Sequence, residues 1–444
     1  MQTHFSETAR AKPQILEADR ILRTCVHCGF CNATCPTYQL LGDERDGPRG
    51  RIYLMKELLE SDEGDEQITQ ETQLHLDRCL SCRSCETTCP SGVEYHKLLD
   101  IGRAEVDRRV GRRPSERAMR LGLRTALVEP GRFKALLALG QTFRPLVPHD
   151  LRDKIPARVP HRQHRPDPAR HTRQMLILEG CVQPGLAPNT NDAAARVLDR
   201  LGIGIRSARE AGCCGAIDFH LNAQQAGRER MRANIDAWWP LIEGVDESGG
   251  ESGGESGKAG VEAIVQTASG CGAFVKEYGE MLADDPEYAV KAKRVSELAK
   301  DLVEILREED LEALGAAHPS ARLAFHCPCT LQHAQKLGGA VESVLTRLGF
   351  SLAPVQDAHL CCGSAGTYSI TQPTLAKRLR DNKMDALEAQ SPDTIVTANI
   401  GCQSHLNGAG RTPVRHWIEL VDELLATAET DQSAIPPRQA GARN

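Results

Sequence analysis

Residues 25–36, CVHCGFCNATCP, and residues 79–90, CLSCRSCETTCP, decide the reading of the N-terminal part of the chain. Each sets three cysteines at successive three-residue steps and a fourth directly before proline: Cys25, Cys28, Cys31, Cys35-Pro36, then Cys79, Cys82, Cys85, Cys89-Pro90. Three thiolates so closely spaced wrap one centre, and the proline turns the chain away after the fourth. Structural zinc fits poorly, because such sites usually draw on two Cys pairs held apart by a longer loop.

The spacing is that of bacterial-type two-cluster ferredoxins, in which the fourth cysteine of each run reaches the other [4Fe–4S] cube. By that rule cluster A takes Cys25, Cys28, Cys31 and Cys89, and cluster B takes Cys79, Cys82, Cys85 and Cys35. Two cubes in one module make a short electron wire. Between Cys35 and Cys79 lie 43 residues, including an expected helix, GRIYLMKELLE, at 50–60. Further helices are expected at ILEADRILRTC and LHLDRCL, and a module so dressed reads as one that docks a partner. Arg49 and Arg51 read as solvated residues at a helix start, with partner contact or cluster tuning as the other reading. His27 reads as a surface residue, with hydrogen-bond tuning of the cluster as its alternative.

The chain has 444 residues, enough for about three domains. Net charge is −6 and pI near 6.2, which argues against a nucleic-acid binder. There are 17 cysteines, an odd number, and no apolar leader at the N-terminus. Clustered cysteines without a secretory signal read as metal or redox ligands. No uncharged apolar run approaches the roughly 18 residues of a spanning helix, so the expectation is a cytoplasmic protein.

Five segments follow. Residues 1–104 form the ferredoxin-type module; 105–172 begin helical and become a Pro/Arg-rich linker; 173–317 and 318–426 are two cysteine-rich units; 427–444 form a disordered tail. The two units are copies. Cys181 and Cys213 are separated by 31 residues, as are Cys329 and Cys361, and each pair leads into Cys-Cys-Gly at 213–215 and 361–363. Each unit then has an apolar strand ending in Gly-Cys, at Cys271 and Cys402. The closing intervals are 56 and 39 residues, and the excess of 17 is about the length of the Gly/Ser/Glu-rich stretch around 246–259 in the first unit. Short apolar runs (MLILE, IGIR, EAIVQT; RLAFH, FSLAP, DTIVTA) alternate with helical periods, which predicts α/β units on parallel sheets. The whole is therefore an α+β and α/β multidomain chain. The cysteines follow the strands, and ligands of open α/β sheets collect beyond the strand C-termini. Cys181, Cys213, Cys214 and Cys271 should converge, as should Cys329, Cys361, Cys362 and Cys402, each set a candidate holder of a further cluster or metal.

The Cys-x31-Cys-Cys-Gly…Gly-Cys pattern resembles the cysteine-rich domain of heterodisulfide reductase catalytic subunits. That family ends the pattern in Cys-x2-Cys, giving five thiolates for a non-cubane cluster. Phe274 and His405 stand at the closing positions here, so disulfide cleavage is in doubt, with His405 and the unmatched Cys327 as candidate substitutes. Over residues 15–426 the longer strings CVHCGFCNATCPTYQLLGDERDGPRGRIYL, CETTCPSGVEYHKLLDIGR, EAGCCGAIDFHLNAQ, QTASGCGAFVKEYG, AFHCPCTLQHAQKLGG and CCGSAGTYSIT closely resemble bacterial glycolate oxidase iron–sulfur subunits. The resemblance implies an electron-transfer subunit working beside flavin-containing glycolate oxidase subunits. Those partners carry FAD, oxidise glycolate to glyoxylate and send electrons towards quinone or another respiratory acceptor. No G-x-G-x-x-G follows a strand, so no dinucleotide site, and no catalytic residue, is expected on this chain. The resemblance also implies peripheral association with the cytoplasmic face of the inner membrane. The alternatives are the equivalent subunit of a D-lactate or glycerol-3-phosphate dehydrogenase, a heterodisulfide-reductase-like catalyst, and a zinc-stabilised scaffold.

Overall fold

The computed structural model describes residues 1–61, 68–146, 155–161, 164–244, 260–314 and 319–433. The 246–259 stretch and residues 434–444 of the expected tail lie outside the described residues.

Four helices, Pro13–Thr24, Pro48–Glu60, Gln70–Asp77 and Tyr95–Val110, carry the N-terminal module. Pro48 opens its helix at the position where a missing N–H costs nothing. That helix then buries Ile52, Met55, Leu58 and Leu59, the stripe of a one-sided helix, against Ile21, Leu22, Leu76, Leu98 and Leu99. The helix expected at 50–60 is thus present. Tyr95–Val110 runs through the expected boundary at 104, because Val106 still belongs to the module's core.

The segment expected as linker begins with two helices, Pro114–Leu127 and Pro130–Phe143, each opened by proline. They form a cover: Arg124 Nε donates to Asp218 Oδ1 at 2.6 Å, and Val128 packs on Cys181 and Cys213.

The repeat appears as two four-stranded sheets of one topology. β1 (Arg173–Ile177), β2 (Ile203–Arg206), β3 (Ile264–Gln266) and β4 (Ala299–Asp301) run in the order β2-β1-β3-β4. β5 (Arg322–His326), β6 (Ser351–Ala353), β7 (Thr394–Thr397) and β8 (Val414–His416) run β6-β5-β7-β8. Every pairing is parallel. The edge strands β4 and β8 were not expected: each has three residues with Lys300 or Arg415 at its centre, too short and polar to read as a strand.

The two units share one core. Ile177 and Val265 of the first pack with Leu323, Phe325 and Val396 of the second. The last helix, Trp417–Ser433, leaves the second unit and lies on helix Thr190–Arg200 of the first, where Arg196 meets Asp422 through two bonds of 2.8 and 2.7 Å. The helix runs past the tail boundary expected at 427. Among the described residues no helix is long and apolar enough to cross a membrane.

Each Cys-Cys-Gly turn ends in a left-handed glycine, Gly215 at φ +98° and Gly363 at φ +87°. A Cβ on Gly363 would stand 2.7 Å from the Ala376 carbonyl oxygen, whereas one on the left-handed Gly202 would meet nothing within 4 Å. Both substitutions to alanine carry the left-handed cost of about 1–2 kcal/mol. Gly363→Ala adds overpacking of about 1–3 kcal/mol. Anaerobic denaturant unfolding of the full chain is therefore expected to show Gly363→Ala clearly less stable than Gly202→Ala; equal midpoints would contradict the steric reading.

Candidate cysteine-ligated centres

None of the 17 cysteines is joined in a disulfide. Cys25 ends helix Pro13–Thr24, and the chain then loops closely through left-handed backbone at His27 (φ 55°) and Gly29 (φ 85°). The second run repeats this at Ser81 (φ 52°) and Arg83 (φ 60°). Left-handed backbone two residues after the first cysteine and one residue after the second curls both loops inward. Non-glycine residues there store strain that the surroundings must hold.

Cys25, Cys28, Cys31 and Cys89 come together around one cavity, closed on its apolar side by Ile52 and Val93. Burial, then the neighbouring Cys25 and other thiols, pushes Cys31 up to about 11. Cys25 is raised by burial and by Cys89 and Cys28. The N-terminal ammonium donates to the Cys25 carbonyl at 2.7 Å. Cys28 is exposed, and so are Val26 and Phe30 on the same loop and Tyr53 beside it, at 67, 62 and 51%. His27 is half-buried, its ring edge-on to Tyr53 at 6.4 Å.

Cys79, Cys82, Cys85 and Cys35 form the inner group. Cys85 is raised well above its ordinary value by burial, then by Cys82 and Cys79, with Cys35 also beside it. Ser81 N–H donates to Cys79 Sγ at 3.4 Å, and the buried Tyr95 hydroxyl lies 3.7 Å from the same sulfur. The expectation that Arg51 is solvated is corrected here: the residue is 1% exposed. Its Nε donates to the His75 carbonyl at 2.7 Å, Nη1 to Thr37 Oγ1 at 3.1 Å and Nη2 to Asp46 Oδ1 at 3.4 Å. Asp46 is completed by Arg78 at 2.9 Å. These contacts bind the turn carrying Cys35 to the helix before Cys79, and only tertiary contact could reveal them. Arg49 keeps its half-exposed position, paired with Glu44 at 2.6 Å. Arg103 donates to the Cys79 carbonyl at 2.7 Å, so two buried cations flank the inner group.

The Cys-Cys-Gly units gather their thiols as expected. In the first, Cys181 adjoins Cys213, Cys213 adjoins Cys214, and Cys214 adjoins Cys271. Phe274 fills the closing position as an apolar plug, 5.5 Å from Phe219 between ring centres. In the second, Cys329 adjoins Cys361, Cys361 adjoins Cys362, and Cys362 adjoins Cys402. Of the two candidate substitutes, His405 lies beside the backbone of Cys362. His405 Nε2 is taken by the Ala376 carbonyl at 3.2 Å. Cys327 enters the core shared by the two units beside Leu323, Phe325 and Leu331. A residue the sequence reading missed, His326, has a ring nitrogen within 4.8 Å of both the Cys362 and Cys402 sulfurs. The inner ferredoxin group abuts this second row: Leu80 and Cys82 pack on Cys329 and Cys361.

A family model described as a 4Fe-4S dicluster domain matches residues 21–93, and one described as a cysteine-rich domain matches 175–276 and 323–407. The glycolate oxidase iron-sulfur subunit of Escherichia coli is 62% identical over 96% of this chain and 99% of its own length. A Bacillus subtilis chain named "Probable glycolate oxidase iron-sulfur subunit" is 30% identical over 86% of this chain and 87% of its own. A crystal structure of a hypothetical protein from Helicobacter pylori shares the fold at a TM-score of 0.51 and 10% identity, over 93% of this chain and 72% of that one. The N-terminal module is therefore an iron–sulfur-binding domain, and the chain belongs to the family of glycolate oxidase iron–sulfur subunits.

Proposed function

We propose that this chain is the electron-transfer subunit of a glycolate oxidase. It receives electrons from flavin-containing subunits that oxidise glycolate to glyoxylate and passes them towards a respiratory acceptor such as quinone. The observation that carries this reading is the gathering of eight cysteines into one surface group and one buried group, each completed by a thiol from the other run. Cys25, Cys28, Cys31 and Cys89 would hold cluster A; Cys79, Cys82, Cys85 and Cys35 would hold cluster B. Bound there, two [4Fe–4S] clusters supply one-electron carriers whose potentials answer to charge, hydrogen bonds and exposure.

The chain's own residues divide the remaining work. Val26, Phe30 and Tyr53 offer an apolar surface around the exposed Cys28, which suits docking of the flavin partner over cluster A. Arg51 and Arg103 place positive charge beside the cluster B ligands, which favours the state holding an extra electron. Substrate chemistry belongs to the partners. A peripheral position at the inner face of the membrane would bring the wire to its acceptor.

Cys28→Ser and Cys82→Ser are each expected to remove about four irons per chain and to reduce glycolate-driven acceptor reduction to background in the intact complex. Full activity with those irons missing would refute the wire. D-lactate or glycerol 3-phosphate replacing glycolate as the effective substrate would keep the wire and move the complex.

Arg51→Met breaks a buried pair, at a cost of about 3 kcal/mol, softened because Arg78 still pairs with Asp46. A redox titration followed by electron paramagnetic resonance should find the potential of one cluster lowered in Arg51→Met and both unchanged in Arg49→Met. Equal effects of the two substitutions would show that burial of Arg51 does not set the potential.

A further inference from the structure

The second cysteine-rich unit carries a ligand that the first lacks. His326 closes β5 three residues before Cys329; the matching position before Cys181 is Leu178. Side chains alternate along a strand. Leu323 and Phe325 enter the core between the units, so Ala324 and His326 face the other way, and Ala324 packs with Cys362 and Cys402. His326 is 1% exposed, and its Nε2 has no hydrogen-bond partner among the described residues. A buried ring nitrogen left unpaired costs about 1–3 kcal/mol, which a bound metal ion would remove.

The three ligand atoms come from three elements: the end of β5, the Cys-Cys turn and helix Ile400–Asn407. They all lie within 4.8 Å of one another. Zinc bonds of about 2.3 Å to sulfur and 2.0–2.1 Å to nitrogen set tetrahedral neighbours roughly 3.5–3.8 Å apart, so a single ion closes this triangle with small movements. A cube would spread the same donors over separate irons. A single ion held by all four cysteines would need both members of the adjacent Cys361–Cys362 pair. His326 lifts that requirement, because Cys362 alone of the pair then suffices, with Cys329 free to supply the third sulfur. Lys383, itself buried, faces these thiols and offsets their charge.

We propose that the second unit binds one divalent ion of the zinc class through His326, Cys362 and Cys402, with Cys329 as the fourth ligand. The ion is redox-inactive, so its part is structural: it ties β5, the turn and the helix together where they support the inner ferredoxin group. This goes beyond the electron-transfer reading and does not depend on it.

The test is metal analysis and zinc-edge X-ray absorption on the full chain isolated anaerobically from zinc-supplemented cells. The expected result is about one zinc per chain in a shell of one nitrogen and three sulfurs. His326→Ala should lose zinc to a chelator at least about tenfold more readily with iron content unchanged. His326→Cys should retain zinc in an all-sulfur shell, and His405→Ala should behave as the parent chain. Absence of zinc, a sulfur-only shell in the parent chain, or parental zinc retention by His326→Ala would each overturn the proposal. Should His326→Ala fail to fold, the parent spectrum decides alone.

Discussion

Crowding of thiols is the constraint on which the rest of this structure depends. Sixteen of the cysteines stand in four groups of four, and most are buried. The neighbouring Cys361 and then burial drive Cys329 well above its ordinary thiol value, and burial does the same to Cys82 and Cys85. Thiolates so placed repel one another, and a bound cation reverses that balance, because a coordinated thiol gives up its proton. Folding and loading of such sites are therefore coupled. The protein's contribution is to aim backbone, not to bond sulfur to sulfur.

Two architectures meet the constraint. In the N-terminal module, paired left-handed residues curl each ligand run, and the fourth cysteine of each crosses to the other group. Damage at one group is consequently felt at both. In the C-terminal half, parallel strands end at one edge and the cysteine-bearing turns follow there, in agreement with the general placement of sites on open α/β sheets. Both units pack on the ferredoxin module. Arg83, one of the left-handed loop residues, pairs with Glu277 of the first unit. The Tyr368 hydroxyl of the second donates to the Arg78 carbonyl at 3.1 Å. The ligand loops are thus braced from outside the module, which helps them hold their strained backbone.

The eight N-terminal cysteines, the internal repeat and the parallel sheets were legible in the sequence because each rests on short-range spacing or period. What escaped depends on tertiary contact. The strands at β4 and β8 are defined by pairing with a neighbour, not by their own polar triplets. Arg51 looks like any arginine at a helix start until Asp46, Thr37 and the His75 carbonyl close around it. His326 and Cys327 are adjacent in sequence, yet strand alternation sends the histidine to the thiol row and the cysteine to the apolar core. The sequence reading counts the second among the candidate ligands and not the first. Counting the alternation from Leu323 would have separated them.

The family and the geometry join in one claim: electrons taken from glycolate reach the cysteine-ligated clusters of this chain. The most direct measurement is electron paramagnetic resonance on the anaerobic complex with its flavin subunits, before and after glycolate. Reduced-cluster signals should appear with glycolate as the sole reductant. Signals that appear with dithionite and not with glycolate, D-lactate or glycerol 3-phosphate would contradict the account.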